Sequence, residues 1–106
     1  MKQPVVLERL AEQDLEGHVD YIAADRTSAA VRFIDAAEAA FARLAKMPRI
    51  GAPRKFRNPR LDGIRCWPIP DFEKYLVFYR VTGEEVRVLR VLHGARDIAS
   101  ILEEGE

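Results

Sequence analysis

The feature that most restricts the fold is a change of hydrophobic period about halfway along the chain. Between residues 11 and 45 apolar side chains recur at helical spacing, whereas from 75 to 93 they come in aromatic and β-branched runs. Ala11, Leu15, His18, Val19 and Ile22 fall on one face of an amphipathic helix, and Glu12, Asp14, Glu16 and Asp20 cover much of the rest. Gly17 interrupts this helix at a cost of up to about 1 kcal/mol relative to alanine, and suits close approach of a neighbouring helix. Asp25-Arg26-Thr27-Ser28 breaks the pattern, and Thr27 or Ser28 can cap a second helix by accepting from an unpaired backbone N–H. There Ala30, Phe33, Ile34, Ala37, Phe41, Leu44 and Ala45 repeat at helical spacing, with Ile34 and Phe41 at the centre of the apolar face, and Pro48 ends the run. Two helices joined by so short a turn predict an antiparallel hairpin.

Strand signals surround these helices. Pro4-Val5-Val6-Leu7 reads as a short opening strand, and Leu61 to Ile69 as a second that stops at Pro68 and Pro70. Tyr75–Val81 and Val86–His93 flank the turn Thr82-Gly83-Glu84-Glu85, an antiparallel hairpin. Asp97 to Leu102 is a candidate short helix after Gly94. The order strand, helix, helix, three strands is an α+β layout, a two-helix antiparallel hairpin packed on one face of a mainly antiparallel β-sheet, which leaves the other face open for binding.

Length and composition narrow the rest. A chain of 106 residues fits one domain, 1–106, and 48% apolar content supports a packed core. No apolar run reaches the ~20 residues of a membrane span, and the N-terminus carries no secretion-type signal, so a cytoplasmic location without membrane contact is expected. Cys66 is the sole cysteine and only His18 and His93 accompany it, so neither a disulfide nor a metal site is expected, and no cofactor. The net charge of zero conceals an asymmetry: residues 1–42 hold four basic and eight acidic side chains, whereas 43–74 hold nine basic and three acidic. That middle segment suits an acidic partner, and its loop Arg54-Lys55-Phe56-Arg57-Asn58-Pro59-Arg60 is too weak a signal for an autonomous DNA binder.

Several segments carry a family likeness. They are Ala11-x-x-Asp14-Leu15 with Asp20-Tyr21-Ile22, Ala29-Ala30-x-x-Phe33-Ile34, Leu44-Ala45-x-x-Pro48-x-x-Gly51, Tyr75-Leu76-Val77-Phe78-Tyr79-Arg80 and Val88-Leu89-Arg90-Val91-Leu92-His93-Gly94-Ala95-Arg96-Asp97. In their order and spacing the chain resembles the ParE/RelE superfamily of toxins from type II toxin–antitoxin systems, and most closely its ParE branch. The resemblance implies a RelE/ParE-like fold and a toxin neutralised by a cognate ParD-like antitoxin. It also implies inhibition of DNA gyrase by binding, with operator DNA contacted only indirectly through the antitoxin. Two other functions are open: a RelE-like ribosome-dependent mRNA endoribonuclease, and a weakly toxic binding module that helps the antitoxin repress transcription.

A metal-free ribonuclease needs a proton acceptor, a proton donor and positive charge on the phosphate. RelE-like members use basic residues on the central strands and a tyrosine near the C-terminus. Here Arg65 and Arg96 match basic positions, but Trp67 and Tyr75 replace basic ones and no tyrosine follows Tyr79. A binding protein without catalytic residues is therefore expected. Arg65 and Trp67, on one side of their strand, are expected to mark the open face, with Cys66 turned to the helices. Together with Tyr75, His93 and Arg96 they form the expected target-binding set. Alternatively, His93 is a locally bonded strand-end residue and Arg96–Asp97 an ion pair fixing the C-terminal turn. Antitoxin contacts are expected at Val19, Ile22, Val31 and Phe33 on the helices, the last two on the flank of the second helix, and at Arg54 and Arg57 in the basic loop.

Overall fold

The computed structural model describes residues 2–105. Strand β1 (Val5–Leu7) leads into helices α1 (Arg9–Asp25) and α2 (Thr27–Lys46). A two-residue strand β2 (Ala52–Pro53) and a 3-10 turn at Pro59–Leu61 follow. Then come β3 (Arg65–Ile69), β4 (Phe72–Val81), β5 (Val86–His93) and a terminal helix α3 (Ile98–Gly105). The sheet order is β1-β5-β4-β3-β2, antiparallel except for the β1–β5 pair. The α+β arrangement expected from the change of period is the one observed. Strand β3 runs through Pro68 to Ile69, with a shift of register between those two residues. The β3–β4 turn is Pro70-Asp71, where Asp71 adopts a left-handed φ of 71°.

The helices are rotated from the expected face. Ala30, Phe33, Ala37, Ala40 and Leu44 are the buried side of α2, whereas Ile34 is 41% exposed. Phe33, expected on the flank, is fully buried and stacks edge-on against Phe72 and Tyr75, with centroids 5.2 and 5.0 Å away. Small alanines at 37 and 40 let the helix approach the sheet closely, and the large Phe33 ring fills the space beside them. Gly17 meets no such neighbour, since a Cβ there would have nothing within 4 Å. Neither Thr27 nor Ser28 caps α2; Arg26 stands at the N-cap without a side-chain bond.

The second face of the sheet is covered. Alternation along β4 sends Tyr75, Val77 and Tyr79 toward the α1–α2 hairpin and Leu76 and Phe78 the other way. Opposite the Phe78–Tyr79 step the register shifts: Phe78 pairs with Arg90 and Tyr79 with Val88, so Leu89 is an extra residue, a β-bulge. The bulge changes the phase of β5, so Val86, Val88 and Val91 enter the helix-side core while Leu89 and Leu92 join Phe78 behind the sheet. That second apolar cluster is closed by Leu61, Ile64, Ile98 and Leu102, contributed by the segment between the basic loop and β3 and by α3. The face expected to be open is a second core because Phe78, Leu89 and Leu92 present too much apolar surface to leave in water.

Helix α1 also repairs an incomplete sheet. β1 ends at Leu7, and the last β1–β5 contact is Glu8 N–H to Val88 O at 2.9 Å. Beyond it, among the described residues, β5 has no neighbouring strand on that side. Asp14 Oδ2 instead accepts from Val91 N–H at 3.0 Å, and His18 Nε2 donates to Val91 O at 2.7 Å. Two side chains one helical turn apart thus satisfy both backbone groups of one β5 residue. The same carboxylate holds Arg90 through two bonds, Nε to Oδ2 at 2.7 Å and Nη2 to Oδ1 at 2.8 Å. These bonds hold the Arg90 guanidinium charge, raising its pKa against the opposing effect of burial.

Candidate target-binding surface

Three of the expected target residues meet at one end of the sheet. Tyr75 on β4 lies directly across from His93 on β5, with ring centroids 5.2 Å apart. His18 packs on the other side of Tyr75 at 4.8 Å, so the phenol ring sits edge-on between two imidazoles. Burial raises the Tyr75 pKa, and the nearby Tyr21 phenol adds to the effect. Tyr75 therefore stays protonated at neutral pH and presents a hydroxyl donor. Tyr21 itself is 77% exposed.

The turn after β5 fixes the remaining groups. His93 Nδ1 accepts from Ala95 N–H at 3.1 Å, so the neutral ring carries its proton on Nε2. Arg96 N–H donates to His93 O at 3.1 Å, which closes the turn after β5, and the Arg96 side chain is exposed. Asp97 is used elsewhere: its carboxylate accepts from Ser100 Oγ at 3.0 Å and Ser100 N–H at 3.4 Å, capping α3. An Arg96–Asp97 ion pair is not formed among the described residues, because the cap orients the carboxylate into the helix. The result is a set of donors in which half-buried Tyr75 and His93 adjoin a turn carrying the exposed Arg96, and among the described residues none of the three forms an ion pair with a carboxylate.

Arg65 and Trp67 do not belong to this patch. Arg65 pairs with Tyr79, four residues along β4 from Tyr75, a separation of roughly 13 Å along the strand. Its guanidinium donates to Gly51 O at 2.7 Å and Arg49 O at 3.2 Å, holding the α2–β2 loop. Trp67 packs half-buried against the helix-side core, and its buried Nε1–H has no acceptor among the described residues. Both side chains share the face toward α1 and α2, and Cys66 lies behind the sheet, the reverse of the expected assignment. Facing is set by the register against β4, where Trp67 opposes the helix-facing Val77 and Cys66 opposes Phe78. Burial pushes the Cys66 thiol up, with the Arg54 guanidinium opposing the shift, so the thiol is a poor nucleophile.

Tyr79 completes the loop clamp. Its hydroxyl accepts from Gly51 N–H at 2.9 Å, and burial raises its pKa despite that bond. A Cβ on Gly51 would lie 2.5 Å from this hydroxyl and 2.8 Å from Cys66 O, so only glycine fits.

The basic loop lies against the rear face. The Arg54 guanidinium sits 5.6 Å from the Phe78 ring centroid and 6.0 Å from that of Phe56. Arg80 donates to the backbone oxygens of Asp62 and Arg60, while Arg57 is exposed. On the helices, Val19 and Ile22 are half-buried against the core and Val31 is 53% exposed. The buried Phe33 is inaccessible to a partner and drops out of the antitoxin-binding set.

Comparison with known proteins fits this architecture. Residues 5–98 match the family described as "ParE toxin of type II toxin-antitoxin system, parDE". The chain belongs to the ParE toxin family. Toxin ParE3 of Caulobacter vibrioides is 35% identical over 65 residues, which cover 61% of this chain and 59% of that protein. The match therefore spans less than two thirds of that relative's length. Among solved structures, the chromosomal ParDE toxin–antitoxin system of P. aeruginosa superposes with a TM-score of 0.69 at 22% identity, covering 87% of this chain and 96% of that one. The RelBE2 toxin–antitoxin complex of Mycobacterium tuberculosis gives 0.58 at 26% identity, covering 88% and 99%. Among the described residues no helix is long and apolar enough to cross a membrane, and no group of three or more His, Cys, Asp or Glu side chains is placed to hold a metal.

Two interactions escaped the sequence reading. The Asp14–Arg90 pair was signalled by a carboxylate on the apolar face of α1, between Ala11 and His18, and by an arginine inside an apolar strand. The Tyr79–Gly51 contact had only the weak signal of a glycine three residues after Pro48.

Proposed function

We propose that this ParE-family protein is a toxin that acts by binding DNA gyrase and is held inactive by a ParD-like antitoxin, with operator DNA contacted only through that antitoxin. The observation that carries the reading is the juxtaposition of Tyr75, His93 and the Arg96 turn, which offers hydrogen-bond donors and a positive charge at one end of the sheet. Such a surface suits recognition of an acidic region on a large partner better than proton transfer. A ribonuclease using Arg65 together with Tyr75 or His93 would have to act across roughly 13 Å of strand, while acid–base work needs hydrogen-bond contact. Arg65 is moreover committed to loop carbonyls. The antitoxin reading draws on the named toxin–antitoxin complexes among the structural relatives. Val31 at 53% and Ile34 at 41% exposure, with Tyr21 nearby in the hairpin, offer apolar area for it. Half-buried Val19 and Ile22 border that area, and Arg54 and Arg57 attract an acidic segment from the other side of the molecule.

Supercoiling by purified gyrase is the direct test. Wild-type protein should inhibit it, and Arg96→Ala should weaken inhibition by about tenfold or more, as loss of an interface arginine does. Codon-specific cleavage of mRNA on ribosomes without any effect on gyrase would instead establish the nuclease reading.

A further inference from the structure

Between β2 and β3 the chain forms a closed loop, residues 54–64. Arg54 N–H donates to Ile64 O at 2.9 Å, which ties its two ends together. Within it, Asn58 Oδ1 accepts from Arg60 N–H at 3.0 Å, and Leu61 N–H donates to Asn58 O at 3.0 Å. Leu61 and Ile64 are fully buried in the rear core with half-buried Phe56 packed against them, so the loop is fixed from its inner side. Its exposed side is charged. Arg54, Lys55, Arg57 and Arg60 are all exposed, against one carboxylate in the loop, Asp62. None of the four cations forms an ion pair among the described residues. Arg54 lies instead over the Phe78 and Phe56 rings. Helix α3, which packs on the same rear core, carries exposed Glu103 and Glu104, and Glu104 acts on Arg90 at the bulge.

We propose that this loop is a phosphate-backbone contact for duplex DNA, made by the free toxin on the DNA that gyrase holds. The apolar side chains of the loop are committed to the rear core, so cations are what it offers a partner. A peptide is held by backbone bonds and side-chain pockets as well as charge, whereas a duplex backbone is bound by cations without either. Because the loop is closed at its neck, no cation lies more than about five residues from it, roughly 18 Å of chain. Over that span a duplex presents about ten phosphates, one per ~1.7 Å of axis, ample for four contacts without sequence preference. The fixed loop lowers the ordering cost of binding, and phosphates relieve the repulsion among four crowded cations. The zero net charge of the chain makes this an accessory contact, weak away from gyrase. An acidic antitoxin segment on Arg54 and Arg57 would exclude DNA, so the contact belongs to the free toxin. The inference rests on the gyrase reading only for the source of the duplex.

The test titrates the full chain into a fluorescent duplex of about 20 base pairs at about pH 7, starting near about 20 mM NaCl. Binding should be saturable, and log Kd should rise with log salt at a slope of about 3 to 4, as four phosphate contacts require. Lys55→Gln/Arg57→Gln should lower that slope by about 2 and weaken binding at about 20 mM salt at least about tenfold, equally on duplexes of different sequence, with Tm unchanged. In the supercoiling assay the same double variant should need at least about fivefold more protein than wild type for half inhibition. No binding to the duplex, a slope unchanged in the double variant, or tighter binding of a single-stranded RNA of equal length would overturn the proposal. So would half inhibition of gyrase by wild type and double variant at equal concentration, a result that leaves the gyrase reading standing. Wild-type protein that binds the duplex as expected yet spares gyrase would overturn the gyrase reading and the source of the duplex, but not the contact.

Discussion

Tyr79 illustrates how a single residue ties the sheet to the loop beside it. Its ring is buried in the core and its hydroxyl takes the Gly51 N–H. Tyr79→Phe keeps the ring and leaves that buried N–H unpaired, so chemical denaturation should show a loss of about 1–3 kcal/mol. Tyr79 and Cys66 also set an alkaline limit. Both are raised by burial, so the fold prefers their neutral forms. Their contribution to stability is fully present below the ordinary thiol and phenol values and is lost as pH rises through the raised folded values. Urea midpoints should therefore be flat near neutrality and fall between about pH 9 and about pH 11, and the fall should be shallower in Cys66→Ala. At this scale the sequence was legible in part. That His93 and Arg96 share one turn was readable from a strand leading into His-Gly-Ala-Arg-Asp, whereas the place of Tyr75 opposite His93 follows from the β4–β5 register. The facing of Arg65, Trp67 and Cys66 was not, because alternation gives relative sides and only the register against β4 decides which side meets the helices.

Elements show why α1 is more than a cover for the sheet. Asp14 and His18 replace the hydrogen bonds of a missing strand beside Val91, and Asp14 holds Arg90 at the bulge. Asp14→Ala removes three bonds and leaves Arg90, whose side chain is 17% exposed, without its partner. A loss of about 3 kcal/mol is expected in thermal or chemical unfolding, together with faster amide exchange at Val91. Gly17 gives the opposite sign: with open space around its Cβ position, Gly17→Ala should raise stability by up to about 1 kcal/mol. If that substitution destabilises, α1 has a close neighbour the fold does not place there. Helix and strand types followed from period alone. The rotation of α2 did not, because alanines spread around much of the helix blur the apolar face and leave Phe33 and Ile34 equally eligible. The second core behind β4 and β5 was hidden by the bulge at Leu89, which breaks strict alternation.

The whole molecule pairs a sheet buried on both faces with polar and charged groups at its ends and edges. One end carries Tyr75, His93 and Arg96, and the rear carries the basic loop. The charge asymmetry seen along the chain becomes a spatial one, since the arginines of residues 49–65 gather around the α2–β2 loop and the rear face. Membership of the ParE family was readable because its motifs span nearly all the elements; the identity of the target is a property of a second protein and has no local pattern here. The most direct measurement of the central claim is DNA supercoiling by purified gyrase in the presence of this protein. Binding without chemistry predicts dose-dependent inhibition that survives Arg65→Gln and is lost in His93→Ala/Arg96→Ala. Full gyrase activity at saturating protein, with ribosome-bound transcripts cut by wild type and spared by Arg65→Gln, would contradict it.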